Sequence, residues 1–130
     1  MKPPVEQWTI LPDTSVWIDH LVRPDAEMVA LLTAGDALLH PFVIGEIALG
    51  NLRNRKQMLW FLSRVDEAKT AMDHEVLQLI ENKALGGSGI GYVDAHLLAS
   101  CLLTDKCLLW TRDKRLGAVA ARLGIAYNYP

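Results

Sequence analysis

Short apolar runs alternate along this chain with longer stretches whose apolar positions recur at helical spacing. Residues 9–11 form the first short run, and Pro12 can only close it because proline donates no ladder hydrogen bond, so the strand stops at Asp13. Val16, Trp17, Ile18, Leu21 and Val22 then recur at helical spacing behind the capping types Thr14 and Ser15, until Pro24 ends the helix. A second helix is expected over 25–32, ending near Gly35, and a short strand over 37–40. Pro41 suits the first turn of a third helix that carries Phe42, Val43, Ile44, Ile47, Ala48 and Leu49. Farther on the pattern predicts helices over 55–65, 74–83, 92–103 and 116–123, and strands over 68–72, 107–111 and 125–127. Strands that alternate with helices imply βαβ units, hence an α/β fold with a central parallel sheet of about four to five short strands flanked by helices.

Length and composition narrow this picture. The 130 residues make one ordinary domain, 1–130, large enough to build a core without disulfide or metal staples. Hydrophobic residues reach 51%, so apolar side chains are left over for a partner interface. The two cysteines, Cys101 and Cys107, sit in apolar runs without CxxC spacing and are expected as buried free thiols. The opening MKPPVEQW puts paired prolines where a secretory signal needs an apolar core, and no uncharged apolar run approaches ~18 residues, so a cytoplasmic protein with no membrane association is expected. A net charge of −2 excludes a whole-molecule basic field as the source of nucleic-acid affinity. Local cations remain, Arg53, Arg55 and Lys56 in one group and Arg112, Lys114 and Arg115 in another, though solvated helix ends explain each about as well.

Four acids stand out against this background. Asp13 and Asp113 fall at predicted strand ends, and ligands of parallel sheets bind beyond the carboxyl ends of the strands. Glu46 and Asp94 interrupt apolar helices, where an unpartnered buried carboxylate is costly. Each has a plain structural explanation: Asp13 and Asp113 as helix caps, Asp94 as a first-turn acid favoured by the helix dipole, Glu46 as a solvent-facing residue. As a set they describe a buried acidic pocket, whose mutual repulsion a hard divalent cation neutralises. The histidines His20, His40, His74 and His96 show no zinc spacing, and His96 reads as structural. The loop Gly86, Gly87, Ser88, Gly89 matches neither a P-loop nor GxGxxG; helix N-terminal amides beside it remain a weak phosphate signal. Ser88 lies outside any GxSxG elbow.

The segments DTSVWID at 13–19, GEIALGNL at 45–52, GIGYVDAHLLAS at 89–100 and TRDKRL at 111–116 resemble PIN-domain ribonucleases, and among them the VapC-type toxins. The resemblance spans almost the whole chain in order and spacing; Pro12 departs from the usual β-branched residue. It implies a PIN domain in which Asp13, Glu46, Asp94 and Asp113 form the catalytic pocket, Asp13 and Asp94 are the principal metal ligands, and Ser15 and Thr111 are polar supports. It further implies hydrolysis of RNA with Mg2+ or Mn2+, a homodimer, and a cognate antitoxin for which Trp17, Ile18, Leu21, Trp60 and Phe61 are contacts or core. Arg53, Arg55, Lys56, Arg112, Lys114 and Arg115 would guide the RNA backbone. Two other readings stand beside it: a PIN nuclease of RNA processing or decay, and a catalytically silent PIN module. A halo-acid-type phosphatase requires DxD after the first strand, where DTS places Ser15.

Overall fold

The computed structural model describes residues 8–129, so the N-terminal prolines and the ends of the expected domain lie outside the described residues. β1 (Thr9–Pro12) and β2 (Cys107–Trp110) pair in parallel at the centre, Ile10 beside Leu108 and Leu11 beside Leu109. Ile10, Leu11 and Pro12 are all buried, as in a parallel sheet covered on both faces. Three more segments extend this layer through single parallel bridges, Ile10 to Ala37, Leu39 to Glu67 and Leu109 to Ala126. Each brings two backbone bonds; on the β1 side Ile10 N–H reaches Asp36 and Leu38 N–H returns to Ile10, both at 2.8 Å. The spatial order is therefore 126, β2, β1, 37–39, 67, the expected parallel sheet of five short segments.

Seven helices surround it among the described residues: α1 (Thr14–Val22), α2 (Ala26–Ala34), α3 (Pro41–Ala48), α4 (Arg55–Leu62), α5 (Asp73–Asn82), α6 (Tyr92–Leu103) and α7 (Lys114–Arg122). Asp25 caps α2 through Glu27 N–H and Met28 N–H, and Gly35 ends it at φ +73, returning its N–H to Leu31 and Leu32 carbonyls. α6 is the central helix, with residues 95–101 buried without a break, and it packs on β2. α7 is one-sided, with Leu116, Val119 and Ala120 inward and Lys114, Arg115 and Arg122 outward.

Local departures from the expected elements have local causes. α4 stops at Leu62 rather than 65, because Arg64 N–H and Val65 N–H turn back to Phe61 and Leu62 in a tight exit. The strand expected over 68–72 pairs only where it begins, through Ala68 N–H to Leu39, and then leaves the sheet. Cys101 and Cys107 are buried free thiols, as expected. No helix among the described residues is long and apolar enough to cross a membrane.

Candidate active site

The four acids meet in one cavity of about 400 Å³, which Thr14, Ser15, Gly91 and Tyr92 also line. β1 delivers Asp13 to its carboxyl end, and the α1 backbone then turns around that side chain. Asp13 Oδ1 accepts Val16 N–H at 3.1 Å and Ser15 Oγ at 2.9 Å, while its Oδ2 accepts the Thr111 hydroxyl. Thr111 follows β2, so one carboxylate joins the ends of both central strands. Thr111 Oγ1 also receives Asp113 N–H at 3.0 Å, and Asp113 Oδ1 caps α7 through Leu116 N–H at 2.9 Å. Capping and site placement, alternatives in the sequence, are here the same geometry for Asp13 and Asp113.

Asp94 lies in the first turn of α6, where its Oδ2 accepts Gly91 N–H at 3.1 Å. Burial holds its carboxyl above the usual range, opposed by the Gly91 bond and reinforced by the charges of Asp13, Asp113 and Glu46. Glu46 reaches the cavity from α3 and accepts the Thr14 hydroxyl.

The pocket is graded rather than uniformly buried. Asp13 is 6% exposed and Asp94 half-buried, whereas Glu46 and Asp113 are exposed at the rim. Glu46 was expected to be buried because its helix neighbours are apolar. Phe42 and Leu49 are themselves exposed, so this face of α3 is open to solvent and carries Glu46 with it.

Carboxylates and hydroxyls alone supply side-chain donors here, with the four histidines and both thiols outside the cavity lining. Among the described residues no three acidic, histidine or cysteine side chains converge closely enough to enclose an ion. A cation of the Mg2+ kind does not require that, because it keeps several waters and takes one or two carboxylates directly. The all-oxygen donor set and the excess negative charge around Asp94 fit such a cation.

The six cations differ in what they are free to do. Arg112 is committed to Asp19 at 3.1 Å and Asp25 at 2.8 Å, with its guanidinium over the Trp110 ring. Arg55 donates to the carbonyls of Ala48 and Gly50 at the end of α3. Arg53 lies beside Ile18 and Leu21 in a separate groove, away from the acids. Arg115 crosses Gly89, whose φ of +86 and missing Cβ make room for the side chain; a Cβ there would stand 2.8 Å from Arg115 Cδ. Lys56 and Lys114 are exposed.

Sequence reasoning did not single out Thr14, Gly91 or Tyr92. The position of Thr14 beside Asp13 was the available signal for the first. Gly91 contributes only a backbone N–H, which composition does not mark, and Tyr92 was absorbed into an apolar helix pattern.

The sequence model of the PIN domain matches residues 10–122, a span that contains every acid of the cavity. Ribonuclease VapC32 of Mycobacterium tuberculosis, in strain CDC 1551 / Oshkosh and in strain ATCC 25618 / H37Rv, is 46% identical to this chain over 117 residues. The alignment covers 90% of this chain and 94% of each relative. The parallel layer, the order of the acids along it and this identity agree: the chain belongs to the PIN domain family and is of VapC type.

Proposed function

We propose that this protein is a VapC-type toxin, an endoribonuclease that hydrolyses RNA phosphodiester bonds with Mg2+ or Mn2+ in the cytoplasm. The observation that carries the reading is the convergence of Asp13, Glu46, Asp94 and Asp113 on one cavity, in a chain 46% identical to a ribonuclease. A silent PIN module would have no reason to keep four repelling acids together, and the complete set supports an enzyme.

Asp13 and Asp94 are the residues that would hold the cation. A bound divalent ion supplies a water acidified toward neutral pH and a counter-charge for the phosphoryl oxygens. Ser15 and Thr111 keep the Asp13 carboxylate aimed at the cavity, and the Gly91 N–H does the same for Asp94. Glu46 and Asp113, at the rim, would complete the ion's shell, hold a second ion or orient the attacking water. In the reaction a water oxygen bonds to phosphorus, one bridging P–O bond breaks, and the departing oxygen takes up a proton. Arg112 and Arg55 are held by contacts within the fold and Arg53 lies in the separate groove, so Lys114 and Arg115, on the helix that Asp113 caps, and the exposed Lys56 guide the RNA backbone. Their contribution falls as salt rises.

The apolar surface supports a protein partner. Ile18, Leu21 and Val22 of α1 face Leu52 and Met58 across a groove of about 610 Å³, a suitable seat for an antitoxin segment. Trp17, one of the expected contacts, is fully buried and belongs to the core, whereas Trp60 is 65% exposed. We propose a homodimer, tested by sedimentation of the purified chain.

The experiment that tests the whole reading is mapping of new RNA 5′ ends after induced expression, with Asp94→Asn as control. New ends are expected with the wild type and none with the variant. Wild-type cleavage by Asp94→Asn would remove the site assignment.

A further inference from the structure

Tyr92 shares the cavity with the four acids, and none of the chemistry above uses it. The residue is 45% exposed at the first position of α6. An exposed tyrosine ordinarily samples several rotamers, and a ligand that fixes it does so at an entropic cost. Here the ring is already held at two places. Its hydroxyl donates to Asp73 Oδ1 at 2.7 Å, and the ring forms a T-shaped pair with the His96 ring at a centroid distance of 4.8 Å and 88°. His96 is buried and contacts the same Asp73 oxygen through Nε2 at 3.0 Å. One carboxylate at the start of α5 thus anchors both side chains at the start of α6. Phe42 also packs against His96, 4.6 Å away between centroids and 41% exposed, one helical turn before Glu46.

We propose that Tyr92 is a base-stacking residue of this cleft, taking the face of an unpaired nucleobase next to the scissile phosphate, with Asp73 and His96 as positioning residues that hold the ring. The proposal rests on the ribonuclease reading and names how its substrate is gripped. The electrostatics favour such a grip, since the cavity is lined by carboxylates and the whole chain carries −2, so the protein's own charge adds little affinity for phosphate. An aromatic face binds any base without regard to charge, and stacking is worth roughly five- to a hundredfold in binding per base. A ring fixed in advance retains more of that gain. Bases within a duplex have both faces covered, so the shelf selects unpaired RNA.

The test measures kcat/KM on a short single-stranded RNA that the wild type cleaves, and on the same strand with one abasic riboside placed in turn at each position flanking the cut. Tyr92→Ala is expected to lose roughly five- to a hundredfold on the intact strand. Tyr92→Phe, which keeps the ring and loses only the Asp73 bond, should show a smaller loss than Tyr92→Ala, carried by KM, and Tyr92→Leu, which keeps apolar bulk without a π face, should behave like Tyr92→Ala. At one position the abasic strand should cost the wild type the same loss and cost Tyr92→Ala nothing more, the signature of a coupled pair. Asp73→Ala, which removes the acceptor shared by Tyr92 and His96, is expected to raise KM with kcat unchanged on the intact strand and to do nothing on that abasic strand. Wild-type rates for Tyr92→Ala on intact RNA would overturn the proposal while leaving the nuclease intact. So would a loss of dimer in sedimentation with cleavage preserved, which would make the ring a protein contact. A wild type that cleaves no RNA would overturn the ribonuclease reading, and the shelf with it.

Discussion

Asp13 carries two duties on one carboxylate. Oδ1 closes the first turn of α1 and Oδ2 is tied to the strand opposite through Thr111, so the side chain is oriented before any ligand arrives. Asp94 is oriented more lightly, by Gly91 N–H, and sits in the field of three other acids. Replacing it with Asn keeps an oxygen acceptor for Gly91 and removes a charge that burial and its neighbours disfavour. In EDTA, Asp94→Asn is therefore expected to melt roughly 2–5 °C above the wild type, and added Mg2+ should raise the wild type alone. Equal or lower melting of the variant in EDTA, read by circular dichroism, would show that the acids are not crowded. The same contrast explains what was legible at this scale. Asp13 and Asp94 could be read because a strand end and an apolar helix are poor places for an acid without a task. Thr14 and Tyr92 could not, since a threonine after Asp13 reads as a cap and a tyrosine in an apolar helix reads as core.

Among the elements, α3 has an unusual start. His40 is 1% exposed and caps the helix by accepting Phe42 N–H on Nδ1 at 3.0 Å. That acceptor requires neutral imidazole with its proton on Nε2, which is buried without a hydrogen-bond partner among the described residues. Burial first, and the His96 ring second, push the His40 pKa down to about 4. The sign follows directly: below about pH 6.5 the unfolded chain takes up a proton that the folded one refuses, so stability falls with falling pH until about pH 4, by on the order of 3 kcal/mol. Above about pH 6.5 this group contributes no slope. His40→Asn keeps a capping oxygen and removes the titration, so its melting temperature should decline less steeply than the wild type's between about pH 6.5 and pH 4.5. Parallel declines would clear His40 of the role. The helices were largely legible because their spacing repeats over several turns. The flanking strands were harder to delimit: 37–39, 67 and 126 each pair through a single bridge, too short for an alternation of faces to be visible in sequence. They were legible only as short apolar runs, which located 37–40 and 125–127 and set the run at 68–72 just beyond the pairing at Glu67.

Across the whole molecule, acid cavity and apolar groove lie on different sides of the same helix. Glu46 of α3 enters the cavity and Ile47, its neighbour, lines the groove with Ile18, Leu21 and Val22. A segment bound in the groove is therefore about one helix width, roughly 10 Å, from the carboxylates, near enough for its continuation to cover them. The surplus of apolar residues in the composition becomes intelligible here, since Val22 is 82% exposed and Ile18 41% exposed beside the groove. Val22→Asp places a charge in that surface at a position so exposed that the core does not feel it, and neither the acids nor Tyr92 change. Expressed alone, the variant is expected to cleave RNA as the wild type does. Expressed together with the proposed antitoxin, it should fail to co-purify and should arrest growth where the wild type is silenced. Retained co-purification and silencing would place the partner elsewhere, and loss of cleavage by the variant alone would mean that groove and cavity are coupled through α3 rather than merely adjacent.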